Sequence, residues 1–239
     1  MSILSIMLVD NSGKQPVTDD TRISPRTADT HPLRSRIGDF IASLRELEKE
    51  PITTARVSTF LAATRPSAGA LAPYTLWCSE RYARNLIYRD QFFEVLALCW
   101  LPGQQTPVHT HNGQLGWVTM VQGELACHNY RFVRPPSEEL SPQKKLPLPS
   151  HSSAEGRRVD VELVASTVCV DDGSVAVVDR RQTTHQLANL ERSRRGSVSL
   201  HIYSKPIDQC VLFDETSRCC ERRQLQYHSV NGIVRSKAA

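Results

Sequence analysis

The chain of 239 residues is 40% apolar and 23% charged and has a formal net charge of +4, which is typical of a soluble globular protein with a large buried core. Its basic residues occur as scattered pairs without interleaved aromatic residues, so nucleic acid is not an expected partner. A membrane is not an expected partner either, because no apolar stretch approaches the roughly 18 residues that a spanning helix needs.

The N-terminal part of the chain predicts an arm followed by helices. Residues 1–31 are expected to form a flexible arm, since residues 10–31 are rich in Asp, Thr, Ser and Pro and lack periodicity. Apolar residues from 32 to 48 recur at spacings of three and four, which predicts an amphipathic helix. A second helix is predicted from Thr54 to about Ala63. The whole helical region, 32–64, is expected to pack onto the rest of the chain.

The sequence changes in character after Pro73, and residues 74–239 predict a β-barrel. Short runs rich in β-branched, aliphatic and aromatic residues alternate with polar or glycine turns. A segment with five prolines at 135–158 predicts a long surface loop inside a single domain that spans 32–239. The clearest predicted strands are FFEVLALCW, GWVTMVQ, ELACHNYRF, VDVELVASTVCV, SVAVVD, SVSLHIYS and QCVLFD.

The number of cysteines indicates the redox state of the compartment in which the protein is expected to work. There are seven, an odd number, in a chain that shows no signal peptide. This pattern predicts reduced thiols rather than a disulfide framework, and a cytoplasmic location.

Two histidines, His109 and His111, stand one residue apart between Gly103 and Gly123 in the stretch GQQTPVHTHNGQLGWVTMVQG. In an extended strand, residues i and i+2 face the same side of the sheet. The two imidazoles are therefore predicted to hold one metal ion together, while Thr110 points away.

The spacing G-x5-H-x-H-x11-G resembles the first motif of the cupins, and the stretch HQLAN at 185–189 resembles the end of their second motif. The resemblance implies a mainly β fold, the cupin double-stranded β-helix or jelly-roll-like barrel, preceded here by N-terminal α-helices. It also implies that His185 supplies a third imidazole beside His109 and His111. Gly116 stands where cupins usually have a glutamate ligand.

Such a ligand set allows two metals. Three neutral imidazoles without a carboxylate leave a divalent ion with its full charge, which favours an anionic substrate on the metal. Zinc in this site would activate water for a hydrolase or hydratase, whereas ferrous iron would bind a substrate and dioxygen. The histidines alone leave both metals open.

Three further segments, YARNL at 82–86, LCW at 98–100 and SLHIYS at 199–204, resemble the thiol dioxygenases, specifically the bacterial-like type I cysteine dioxygenases. The resemblance implies a non-haem iron enzyme that oxidises L-cysteine to cysteine sulfinate with dioxygen. Its Fe(II) would be bound by the three histidines named above.

The same resemblance implies roles for the other site residues. Arg84 would bind the substrate carboxylate through two parallel hydrogen bonds, with Tyr82 and Tyr203 also at the substrate. Ser199, His201 and Tyr203 would form a catalytic hydrogen-bond relay. Their i, i+2, i+4 spacing places all three side chains on one face of a strand.

Two positions differ from the animal enzymes of this family. Gly116 replaces the cysteine that is linked there to the active-site tyrosine, so no Cys–Tyr thioether is expected. Lys205 follows Ser204, where the animal enzymes have a proline with a cis bond, and the sequence leaves open whether this bond is cis.

Two other functions fit the same pattern. Family members that oxidise 3-mercaptopropionate usually have glutamine in place of Arg84. The other alternative is a non-catalytic cupin that senses a metal or a small ligand, but such a protein would have no functional need for Arg84 or the relay. The expected partners are therefore L-cysteine and dioxygen, in a monomer or a weak homo-oligomer.

Overall fold

The computed structural model of the chain describes residues 8–9, 36–133, 160–178, 184–214, 216 and 218–235. The predicted proline-rich loop at 135–158 lies outside the described residues, and so does the predicted arm at 1–31 apart from residues 8–9. The domain boundaries drawn from the sequence stay predictions.

Helices come first in the described chain. They are α1 (Ile37–Glu46), α2 (Thr54–Thr64) and α3 (Ala68–Leu71), with 3-10 turns at Leu47–Lys49 and Ala72–Tyr74. The first two are the predicted helices, whereas α3 lies beyond the predicted helical region. The Thr53 side chain accepts a hydrogen bond from the Arg56 N–H (3.4 Å) and caps the start of α2.

The described residues also contain fourteen strands in two sheets. The larger sheet has the order β1-β8-β5-β10-β3-β2-β13-β14, and the smaller has the order β12-β11-β4-β9-β6-β7 when the strands are numbered along the chain. Their bounds are β1 Leu8–Val9, β2 Ala83–Arg89, β3 Glu94–Trp100, β4 Val108–His109, β5 Leu115–Gln122, β6 Glu124–Val133, β7 Asp160–Val170, β8 Val175–Val178, β9 Thr184–Ala188, β10 Ser197–Ser204, β11 Gln209–Asp214, β12 Cys219–Gln224, β13 Ser229–Val230 and β14 Ile233–Val234.

This arrangement confirms the predicted mainly β fold, a cupin double-stranded β-helix with helices at its N-terminal side. All neighbouring strands are antiparallel except the pair β13 and β2. One apolar cluster joins Leu96 and Met120 of the larger sheet to Leu125 and Leu187 of the smaller sheet, so the sheets face each other. Within the described ranges the two sheets do not close into one hydrogen-bonded barrel.

The helices pack onto the larger sheet, as predicted. Phe40 of α1 and Leu61 of α2 share a buried apolar cluster with Trp117 of β5. The indole N–H of Trp117 donates to the carbonyl of Thr54 (3.2 Å), at the first turn of α2. This contact fixes the helical layer against the outer face of the sheet.

Most predicted runs are strands, but β2 was not predicted as one. Its sequence, ARNLIYR, contains polar residues that are buried in the structure. Asn85 donates to the Leu76 carbonyl (3.0 Å) and accepts from the Ser229 hydroxyl (2.7 Å). Leu76 precedes β2 in a loop and Ser229 lies 144 residues away, so the alternation rule does not reveal the strand. The other strands absent from the predicted runs are short or polar, namely β1, β4, β9 and β12 to β14.

Two expectations from composition can also be compared with the structure. All seven cysteines are free thiols, as predicted, and five of them are buried. No helix in the described part of the chain combines the length and the apolar character needed to cross a membrane.

Candidate metal centre

His109, His111 and His185 lie together in the structure. One side-chain nitrogen of each falls within 4.8 Å of the other two, and the ring centroids are 4.6 to 4.9 Å apart. Among the described residues, this is the one group of three or more His, Cys, Asp or Glu side chains that could hold a metal ion.

The backbone brings the three imidazoles together from two paired strands and the turn that follows one of them. His109 ends β4 and lies directly opposite His185 of β9, so these two side chains share one face of the smaller sheet. His111 is not on that strand. It opens a turn in which Asn112 and Gly113 have φ values of 54° and 78°, a conformation that favours glycine. The Thr110 N–H donates to the Val211 carbonyl of β11 (3.1 Å), so backbone pairing continues past His109 and the turn begins at His111.

Asn189, the last residue of the second motif, joins the end of β9 to the loop before His109. Its side-chain amide donates to the Trp100 carbonyl (2.9 Å), and its backbone N–H donates to the Gln104 carbonyl (2.9 Å). The Gly103 N–H in turn donates to the Asn189 carbonyl (2.7 Å). Gly103 has a φ of 83°, so the first glycine of the motif is required by the backbone.

Burial keeps the three imidazoles neutral, the form that binds a metal. It lowers the pKa of His109 to about 4 and the pKa values of His111 and His185 well below the usual value. His109 Nδ1–H donates to the Pro107 carbonyl (2.9 Å), which leaves the lone pair of Nε2 free. His111 Nδ1 and His185 Nε2 are buried without a hydrogen-bond partner. Three such nitrogen donors fit a divalent ion such as iron or zinc.

Ser199, His201 and Tyr203 lie on one face of β10 and form a hydrogen-bonded chain. Ser199 Oγ is 2.8 Å from His201 Nε2, and His201 Nδ1 is 3.1 Å from the Tyr203 hydroxyl. The indole N–H of Trp100 donates to Ser199 Oγ (2.9 Å) and extends the chain by one member. The Tyr203 ring stacks beside His111 with centroids 5.8 Å apart, so the chain ends at the histidine cluster.

Arg84, the second residue of β2, is 9% exposed. Its Nε and Nη2 atoms are buried and have no hydrogen-bond partner among the described residues. Glu94 Oε2 lies 3.8 Å from Nη2, which is an ion-pair distance but too long for a hydrogen bond. The guanidinium therefore has a nearby negative charge and two free N–H groups.

A cavity of about 430 Å³ connects these groups. His185, Ser199 and His201 do not line it. The ring of Tyr82 does, and it stacks on Trp100 with centroids 4.6 Å apart. The other predicted site residues that line the cavity are Arg84, His109, His111 and Tyr203.

Comparison with known proteins identifies the family of the chain. Residues 29–216 match the sequence model of the family described as cysteine dioxygenase type I. The chain belongs to the cysteine dioxygenase type I family. It is similar to cysteine dioxygenase type 1 of Bos taurus, with 25% identity over 85% of this chain and 92% of the relative. The human protein of that name is 24% identical over the same shares of the two chains.

A similar solved structure is more distant. An uncharacterised protein from Klebsiella pneumoniae with a double-stranded β-helix domain superposes with a TM-score of 0.38 and 13% identity, over 60% of this chain and 94% of that chain.

The two positions expected from the sequence to differ from the animal enzymes can now be located. Gly116 of β5 lies directly opposite Tyr203 of β10 in the larger sheet. The peptide bond between Ser204 and Lys205, which the sequence left open, is cis in the structure.

Several residues around the site were not predicted from the sequence of this family member. Cys210 and His228 line the cavity, and Glu94 and Tyr227 lie beside Arg84. The run FFEVLALCW did contain a signal for Glu94, because a single charge within a buried strand needs a partner. Tyr227 and His228 follow the last predicted strand and had no comparable signal.

Proposed function

We propose that this family member is a non-haem iron dioxygenase that oxidises L-cysteine to cysteine sulfinate with dioxygen. The observation that carries the proposal is that Arg84, His109 and His111 line one cavity, with His185 grouped beside the two histidines. A carboxylate-binding group and a metal-binding group in the same small cavity suit a short carboxylic acid that also carries a thiol. We place the enzyme in the cytoplasm, as a monomer or a weak homo-oligomer without nucleic-acid or membrane partners.

His109, His111 and His185 would hold the iron through one nitrogen each. When bound, ferrous iron would supply the redox centre at which a thiol and dioxygen react. The histidine cluster contains no carboxylate, so the protein leaves the charge of the ion to be offset by an anionic ligand. A zinc hydrolase or hydratase would use the same histidines, but it would not need Arg84.

Arg84 would bind the substrate carboxylate. In a guanidinium group, Nε–H and Nη2–H point in the same direction and match the two oxygens of a carboxylate. Both atoms are buried and unpaired, so a bound carboxylate would satisfy two donors that otherwise lack a partner. Tyr82 would contact the substrate from the same side, with its ring held by Trp100.

The relay would hold a proton at Tyr203. Trp100 Nε1 can only donate, so Ser199 Oγ accepts that bond and directs its own hydroxyl hydrogen to His201 Nε2. His201 then carries its proton on Nδ1, and this N–H donates a hydrogen bond to the Tyr203 oxygen. The hydroxyl hydrogen of Tyr203 remains free to donate into the cavity. Burial raises the pKa of Tyr203, so the phenol stays protonated.

The direct test is to purify the protein, measure its bound metal and follow dioxygen uptake with L-cysteine, 3-mercaptopropionate and cysteamine in parallel. We expect iron at about one per chain and fastest uptake with cysteine, which should appear as cysteine sulfinate. Faster turnover of 3-mercaptopropionate would favour the alternative dioxygenase. Iron binding without any uptake would favour a metal- or ligand-sensing cupin.

A further inference from the structure

A buried carboxylate beside Arg84 has no part in the proposed reaction. Glu94 begins β3, and its side chain is 0% exposed. It is not among the residues that line the cavity, so it does not touch a ligand there. A carboxylate at this depth needs both opposite charge and hydrogen bonds to be stable.

Two arginines supply the opposite charge. Arg84 Nη2 lies 3.8 Å from Glu94 Oε2, and Arg89 Nη1 lies 3.8 Å from Glu94 Oε1. Neither distance is a hydrogen bond. Arg89 has a closer anionic partner, since its Nη2 is 2.8 Å from a carboxylate oxygen of Asp208. Arg84 has no other ion pair among the described residues, so Glu94 is its counter-ion.

The hydrogen bonds to Glu94 come from other groups. The Tyr227 hydroxyl donates to Oε1, and the backbone N–H of Ile207 donates to Oε2 (3.3 Å). The Tyr227 ring also faces Arg84, with the guanidinium carbon 5.8 Å from the ring centroid. These two hydrogen bonds keep the Glu94 carboxylate beyond hydrogen-bond distance of Arg84. The Arg84 N–H groups therefore remain available to a ligand.

We propose that Glu94 is an internal counter-ion which, held back by Tyr227, sets how strongly the cavity prefers thiols that carry a carboxylate. This rests on the proposed function through the role of Arg84 as the carboxylate-binding group. Glu94 compensates the guanidinium charge without occupying its donors. Its negative charge lowers the positive potential of the cavity, which weakens binding of a ligand carboxylate and strengthens binding of a ligand ammonium group.

The test is binding without oxygen, so that no turnover occurs. Isothermal titration of the iron-loaded protein under nitrogen gives dissociation constants for L-cysteine, which carries a carboxylate, and for cysteamine, which does not. The variant Glu94→Gln keeps the shape of the side chain and removes its charge. We expect the dissociation constant of cysteine to fall about threefold to tenfold and that of cysteamine to rise.

A second variant tests the restraint on Glu94. Tyr227→Phe keeps the ring over Arg84 but removes the hydroxyl that donates to Glu94 Oε1. The released carboxylate can approach Arg84 and occupy its N–H groups, so the dissociation constant of cysteine should rise by about threefold or more. The control is Glu162→Gln, which removes an exposed carboxylate paired with Arg131 and should change neither constant.

The outcomes separate this inference from the proposed function. If Glu94→Gln weakens cysteine binding and leaves cysteamine unchanged, Glu94 only positions Arg84 and the counter-ion role is wrong. If that variant does not fold, unchanged cysteine binding by Tyr227→Phe contradicts the inference instead. If the parent protein binds and oxidises cysteine and Glu94→Gln has the same two dissociation constants, this inference alone is overturned. A parent protein that binds neither thiol overturns both.

Discussion

Gly116 lies directly against the ring of Tyr203. A Cβ atom at position 116 would be 3.1 Å from both Cδ1 and Cε1 of that ring. Any side chain at this position would therefore contact the edge of the phenol ring directly. With glycine, the Tyr203 ring is positioned only by packing and by its hydrogen bond to His201.

Because of this glycine, we expect Tyr203 to remain an unmodified phenol. The intact mass of the protein should equal that of the unmodified chain, less the initiator methionine if it is removed, even after many turnovers with cysteine and oxygen. A thioether would lower the mass by two hydrogens. Peptide mapping that finds Tyr203 cross-linked to any cysteine would contradict this expectation.

The fold could be predicted where local patterns carry the information. Periodic apolar residues gave α1 and α2, and runs such as SVSLHIYS and QCVLFD gave β10 and β11. The missed strand β2 contains the buried polar residue Asn85, which is satisfied partly by Ser229, 144 residues away. A single-sequence pattern does not contain such pairings.

The candidate site, like the fold, was predictable from the sequence only in part. Motif spacing predicted that His109, His111 and His185 come together, but it did not reveal that β4 ends at His109 and that a turn begins at His111. The i, i+2, i+4 rule correctly gave the chain along β10. The surroundings of Arg84, namely Glu94 and Tyr227, come from different parts of the chain and were visible only in the structure.

Iron content tests the assignment of the third ligand. His185→Ala should remove most of the bound iron, because two imidazoles hold a divalent ion much less well than three. Metal analysis of the purified variant measures this loss. His128→Ala is the matched control, since His128 is only partly buried, is hydrogen-bonded to Ser166 (2.8 Å) and lies outside the histidine cluster, and it should keep its iron. Full iron and full activity in His185→Ala would mean that another residue, with His201 the first to examine, is the ligand.

Substrate preference tests Arg84. Arg84→Gln should lower kcat/KM for cysteine roughly tenfold or more, because a charged hydrogen bond contributes about 1.5 to 3 kcal/mol. Turnover of 3-mercaptopropionate should fall less, since glutamine is the usual residue in the enzymes that prefer it. Arg131→Gln, at an exposed ion pair with Glu162, is the control. Equal losses on both substrates would show that Arg84 does not select the amino acid.

The stability of the metal-free protein should fall in acid. Burial lowers the pKa of His109 to about 4 and that of His201 to about 3, whereas histidine in an unfolded chain titrates near 6.5. The unfolded chain therefore binds more protons as the pH falls below about 6.5, and the free energy of unfolding decreases towards pH 4. Each such histidine contributes a loss of about 1.4 kcal/mol per pH unit.

Denaturant unfolding of the metal-free protein at about pH 7.5, 6 and 5 measures this slope. His201→Gln removes one of the titrating groups and should make the pH dependence shallower. A free energy of unfolding that does not change between these pH values would show that the buried histidines are not held neutral.

The last prediction concerns the hydroxyl of Tyr203, which ends the chain of hydrogen bonds at the histidine cluster. Tyr203→Phe should keep iron and cysteine binding, because the ring still packs against Gly116 and His111. It should reduce the amount of sulfinate formed per oxygen consumed, since the proton donor that acts after binding is missing. Parallel assays of oxygen uptake and of sulfinate give this ratio.

The variant Trp100→Phe tests whether the hydrogen-bond relay behind Tyr203 matters separately from the Tyr203 hydroxyl itself. It removes the N–H that directs Ser199 towards His201, while an aromatic ring remains to stack on Tyr82. The ratio of sulfinate to oxygen should fall in the same direction as in Tyr203→Phe but by less, because the Tyr203 hydroxyl is still present. Tyr88→Phe, which removes a hydroxyl bonded to Asp90, should leave the ratio unchanged. Coupling in Tyr203→Phe as complete as in the parent would mean that the hydroxyl does not take part in the reaction.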